Sequence, residues 1–108
     1  MEEILYPPLD EANVRNLPII RVMPNTPALV LSAVSGMSFN RFVTEEDARA
    51  ARTLLLAVGD VIEFEEEALD AVTALSGSGP AYVYYLVESM TEAGIHMGLE
   101  PSAAAFLA

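Results

Sequence analysis

Cysteine, tryptophan and lysine are all missing from these 108 residues, and histidine occurs once. Without cysteine there is no disulfide framework and no thiolate nucleophile or metal ligand. A single histidine, His96, has no second histidine or cysteine to share a metal, and Glu92 one turn earlier is a simpler partner for it. Positive charge is scarce: five arginines face 16 acidic residues, for a formal net charge of −11. Such a chain repels nucleic acid phosphates and anionic membrane surfaces, so neither is expected as a partner. Long hydrophobic runs are also absent. The longest, Ala81 to Val87, is far too short to span a bilayer. The start, Met1-Glu2-Glu3, is acidic and lacks the apolar segment of a signal peptide. A cytoplasmic setting is the expectation.

What the chain does have is apolar surface. Hydrophobic residues make up 53% of it, slightly above the usual fraction, in a chain that buries only about two-thirds of its unfolded surface. Self-association is the natural outlet.

The N-terminal stretch is broken by Pro7-Pro8 and Pro18, with room for a short helix over residues 9–17. Ile19 to Val22 reads as a strand, ended by Met23-Pro24-Asn25-Thr26-Pro27. Ala28 to Ser35 is ambiguous between helix and strand, and Gly36 to Asn40 reads as a second strand. Thr44 is a helix cap, with Glu45, Glu46 and Asp47 in the first turn. Ala48, Ala51, Leu54, Leu55 and Val58 follow at helical spacing as one apolar face, and Gly59 is the expected stop. Asp60 to Phe64 alternates as a strand, with Ile62 and Phe64 on one side. Strand, helix, strand in this order points to an α/β sheet.

After Glu65-Glu66-Glu67 the chain reads as helix throughout. Ala68 to Leu75 is one run, interrupted by Ser76-Gly77-Ser78-Gly79. Pro80 opens a helix that runs to about Met97, closed by Gly98, and Pro101 opens a third. The middle helix has no polar stripe from Ala81 to Val87, so it needs neighbours on every side.

Two segments are candidates for a site. Met23 to Pro27 follows a strand, where open α/β sheets bind ligands. It reads either as a rigid wall of a small-molecule pocket or as a proline-stiffened connection. Gly77-Ser78-Gly79 looks like half of a dinucleotide fingerprint, but position 82 is Tyr and a helix precedes it, so that reading fails. The start of the following helix, with Ser76 and Ser78, offers donors to an anionic group such as a carboxylate. The alternative is an interruption that lets two helices pack closely. Thr73, one turn before Ser76, either faces the same site or bonds the preceding carbonyl. Glu65 to Glu67 reads as a solvated linker. No nucleophile and base stand at recognisable spacing, and no metal site is expected.

Arg21-Val-Met-Pro-Asn-Thr-Pro-Ala-Leu-Val30 and Asp70-Ala-Val-Thr-Ala-Leu-Ser-Gly-Ser-Gly-Pro-Ala-Tyr-Val83, with Glu88, Ala93-Gly94 and Gly98-Leu99, resemble the pyrroline-5-carboxylate reductases. The resemblance covers about Pro18 to Ala108. It implies the C-terminal part of a Rossmann-type domain over residues 1–65. The start of an all-helical dimerisation domain would follow over residues 66–108. It implies NADPH- or NADH-dependent reduction of 1-pyrroline-5-carboxylate to proline, in a homodimer or higher homo-oligomer. Met23, Pro24 and Asn25 would lie near the nicotinamide, and Thr73, Ser76 and Gly77 would line the substrate entrance. The family's Gly-rich fingerprint lies upstream of these residues and its Ser-Pro-Gly-Gly-x-Thr loop downstream. Residues 1–17 match poorly, and Leu31 to Val34 departs from the usual Gly- and Glu-containing continuation. A truncated reductase or a diverged short relative is therefore expected, inactive alone. The other readings are a non-catalytic acidic oligomerisation module and a segment of another two-domain NAD(P)-dependent dehydrogenase.

Overall fold

The computed structural model describes residues 16–108. The expected helix over residues 9–17 lies almost wholly outside them. The described residues belong to two compact units, divided between Gly77 and Ser78.

The first unit is built on a three-stranded sheet in the order β1-β2-β3. Strand β1 (Ile20–Met23) pairs antiparallel with β2 (Ala33–Phe39), with Ile20 opposite Phe39 and Met23 opposite Gly36. β2 pairs parallel with β3 (Gly59–Glu63), with Ala33 opposite Gly59 and Met37 opposite Glu63. The parallel pair requires a crossover, and helix α1 (Glu45–Leu56) supplies it. The ambiguous stretch after Pro27 resolves into both of its options. Thr26–Val30 forms a 3-10 turn, ended by Leu31 in the left-handed region at φ 58, and strand β2 then begins at Ala33.

Helix α1 starts as its sequence suggests. The Thr44 hydroxyl oxygen accepts the Asp47 N–H at 3.2 Å, while an Asp47 carboxylate oxygen accepts the Thr44 N–H at 3.0 Å. Its end differs from expectation. The helix stops at Leu56, and Gly59 is the first residue of β3 rather than a helix stop. Gly59 has φ 154, and a Cβ there would lie 2.1 Å from the Ala33 carbonyl oxygen, so only glycine lets β3 approach β2 at this point. The apolar face of α1 is also narrower than its periodicity implies. Ala48, Ala51, Leu55 and Val58 are half-buried, but Leu54 is 74% exposed.

β2 is the centre of the unit. Ala33, Ser35, Met37 and Ser38 are buried, along with Ile19 before β1 and Leu69 from the segment after the sheet. That segment is less regular than the single expected helix. It begins as a 3-10 turn (Glu66–Ala68), passes into a four-residue helix α2 (Leu69–Val72), and widens into a π turn over Thr73–Gly77. It lies tight on the sheet: a Cβ at Gly36 would come within 2.8 Å of a Val72 methyl.

The second unit pairs helix α3 (Gly79–His96) with α4 (Pro101–Leu107). Gly98, at φ 99, turns the chain between them, and Ala104 is buried against Gly94. From Ala81 to Met90 every residue of α3 is exposed, Tyr85 to 73%. Among the described residues, no helix is long and apolar enough to cross a membrane.

Candidate functional site: the junction of two motifs

The two candidate segments, some 50 residues apart in sequence, meet in the first unit. Met23 ends β1, and the residues after it turn beyond the strand's carboxyl end. The π turn Thr73–Gly77 stands against that loop. The Asn25 side-chain amide donates to the Ser76 carbonyl at 3.1 Å, and its oxygen accepts the Val34 N–H at 3.0 Å. One side chain thus ties the loop to the turn on one side and to β2 on the other. Met23 closes the gap beside it. A Cβ on Gly77 would sit 2.6 Å from the Met23 terminal methyl, so the absence of a side chain at 77 makes room for that contact.

The structure brings Met23, Asn25, Ser76 and Gly77 together. Pro24 lies exposed in the loop between Met23 and Asn25. Thr73 is in the same π turn, with its hydroxyl donating to the Leu69 carbonyl at 2.8 Å. The Ser76 hydroxyl likewise donates to the Val72 carbonyl at 3.1 Å. Both hydroxyl protons are therefore engaged by the preceding turn. Residues 73–77 adopt the π geometry often found where a helix carries function, a feature that helical periodicity does not reveal.

Ser76 also borders an apolar cavity of about 280 Å³ between the sheet and the 66–77 segment, lined by Val34, Ile62, Phe64 and Leu75 among others. Ile62 and Phe64 do share a side, but that side is open, at 51% and 36% exposure. The fully buried Ser35 hydroxyl at this cavity has no partner among the described residues. Arg21 pairs with Glu66 at 3.4 Å and reaches Asp70 at 4.0 Å, and Arg52 pairs with Glu63 at 2.7 Å. His96, in the second unit, bonds the Glu92 carbonyl oxygen through Nδ1 at 2.8 Å rather than the Glu92 carboxylate. Among the described residues, no group of three His, Cys, Asp or Glu side chains could hold a metal ion.

Met23 and Pro24 form a proline-stiffened turn beyond the end of β1. The 108 residues hold no Gly-x-Gly-x-x-Gly for the pyrophosphate.

Residues 66–108 match the pyrroline-5-carboxylate reductase dimerisation family. The pyrroline-5-carboxylate reductase of Corynebacterium melassecola is 44% identical over 100 residues, covering 93% of this chain and 37% of that protein. The chain is related to the pyrroline-5-carboxylate reductases. The Arabidopsis thaliana reductase is 47% identical over 89 residues, 82% of this chain and 32% of its own length. Among solved structures, the Streptococcus pyogenes 1-pyrroline-5-carboxylate reductase superposes with a TM-score of 0.81 at 32% identity, covering 86% of this chain and 36% of that one. The Plasmodium falciparum pyrroline carboxylate reductase, with NADP bound, gives 0.78 at 37% identity, over 82% of this chain and 36% of the other. The chain thus spans about a third of the length of the reductases it matches. The matched dimerisation segment holds the π turn and both helices of the second unit, and the Met23–Pro27 loop precedes it.

Proposed function

We propose that this chain is the central segment of an NAD(P)H-dependent reductase that converts 1-pyrroline-5-carboxylate to proline. In this reading residues 1–65 close the cofactor-binding domain and residues 66–108 open the dimerisation domain. The observation that carries it is the junction itself. The two stretches shared with the reductases converge through Asn25 on Ser76 and Met23 on Gly77, as two walls of one pocket would.

When bound, the reduced nicotinamide supplies the hydride that adds to the ring C=N carbon. This segment supplies position. Met23, Pro24 and Asn25 form the cofactor-side wall, stiffened by proline and held to β2 through Val34. Thr73, Ser76 and Gly77 form the substrate-side wall, and the bare Gly77 lets the Met23 methyl close against it where the two walls meet. Much of the rate gain in such a reaction comes from holding two rings in contact with water excluded, which rigid walls serve. No side chain of this segment is assigned as the acid that protonates the ring nitrogen.

The exposed apolar helix α3 is the surface we assign to a second copy of the chain, in a homodimer or a larger homo-oligomer. Its exposure from Tyr82 to Val87 and the dimerisation family it matches support this. A cytoplasmic setting belongs to the same proposal.

A chimaera tests the reading. Residues 18–108 replace the aligned segment of the Corynebacterium melassecola reductase, and NADPH oxidation with 1-pyrroline-5-carboxylate is followed. Retained turnover within about tenfold of the parent, a barrier change under about 1.4 kcal/mol, is expected. A folded chimaera without reductase activity would contradict it.

A further inference from the structure

Pro80 leaves a hole in the hydrogen bonding of the backbone before it. In a regular helix the Ser76 carbonyl would accept the N–H four residues on, and proline has none. The next N–H cannot substitute, because that of Ala81 is engaged by the Ser78 carbonyl at 3.0 Å. The Ser76 carbonyl takes its donor from 51 residues away instead, the Asn25 Nδ2 at 3.1 Å, and this bond is half-buried. The other end of the same amide accepts the Val34 N–H. A partly buried carbonyl left without a donor costs free energy, so the Met23–Pro27 loop has a reason to stay against the π turn.

We propose that Asn25 is a positioning residue: its side-chain amide stands in for the helix N–H that Pro80 lacks, and so fixes the spacing between the Met23–Pro27 loop and the Thr73–Gly77 turn. Its link to turnover rests on the reductase reading above; the bond itself does not. The role requires an amide. Aspartate has the same shape and keeps the acceptor for Val34, but at neutral pH it offers no donor to Ser76 and sets a negative charge against its carbonyl oxygen. Glutamine keeps the amide but carries it one methylene further.

The test is a double-mutant cycle on the 108-residue chain, read by amide hydrogen exchange over residues 73–77. Asn25→Asp is expected to speed exchange there on the order of tenfold. Pro80→Ala returns an N–H to position 80, so adding it to Asn25→Asp is expected to recover most of that loss. No effect of Asn25→Asp, or two effects that simply add, would overturn the proposal. Should Asn25→Asp fail to fold, the unsubstituted chain decides: a scalar coupling across the hydrogen bond from Asn25 Nδ2 to the Ser76 carbonyl carbon supports it, and its absence overturns it. In the chimaera, Asn25→Asp is expected to lower kcat more than it raises KM, with partial rescue by Pro80→Ala. If the chimaera has no activity at all, the reductase reading fails while the exchange result still decides the role of Asn25.

Discussion

Thr44 and Asp47 show how much two adjacent-turn residues can specify. Each satisfies the other's backbone N–H, and the Thr44 hydroxyl also donates to the Asp47 carboxylate at 2.7 Å. The side-chain bond from Thr44, then the backbone bond from Thr44, hold the Asp47 carboxyl below the ordinary carboxylate range. A depressed carboxyl stabilises the fold above its unfolded value near 3.9, and that contribution is lost as pH falls through the lower folded value. Thr44→Ala is expected to destabilise the chain by about 1 kcal/mol in urea denaturation at neutral pH. The Asp47 carboxyl-carbon titration, followed by NMR, should then move up toward the ordinary value. An unmoved midpoint would show that Thr44 is not its cause. This cap was legible in the sequence because all its parts lie within four residues. Gly59 was legible only as a residue that breaks helices. Its real constraint, the approach of β3 to the Ala33 backbone, comes from a strand 26 residues away. The role of Asn25 was hidden for a different reason: its cause is a missing N–H at Pro80, and its partner is 51 residues distant.

Among elements, the alternation of strand, helix and strand foretold the β2–α1–β3 crossover, since hydrophobic periodicity and turn residues are local signals. Those signals did not resolve the segment after the sheet. Its residues have helical spacing, yet it changes from 3-10 to α to π within 12 residues. That irregularity is a response to tertiary demands: Leu69 is fully buried, Val72 lies on Gly36, and the Ser76 carbonyl is turned to Asn25. The apolar face read for α1 included Leu54, which is instead exposed, because spacing identifies a face without saying how wide a stripe the sheet covers. Leu69 is the main anchor of the irregular segment. Leu69→Ala is expected to cost about 2–5 kcal/mol of unfolding free energy and to lower exchange protection across residues 66–77 first. A loss under about 1 kcal/mol in urea denaturation would show that the segment is held by other contacts.

At the scale of the molecule, the observation that most needs explaining is the run of exposed apolar side chains on α3. Tyr82, Val83, Tyr84, Tyr85 and Leu86 are each more than half exposed, as is Phe106 of α4 at 90%. A contiguous apolar surface of this kind marks an interaction site or an aggregation hazard in a soluble chain. The unbroken apolar stretch made this need for partners legible from sequence, and the match of residues 66–108 to a dimerisation family points to a second copy as the partner. The net charge of −11 opposes close approach of two copies, so association should strengthen as salt is raised and the repulsion is screened. Sedimentation equilibrium of the 108-residue chain at physiological salt tests this most directly. A species of at least twice 11.6 kDa, dissociated by Leu86→Glu, is the expected result. A folded chain that sediments as an 11.6 kDa monomer at every concentration and salt examined would contradict it.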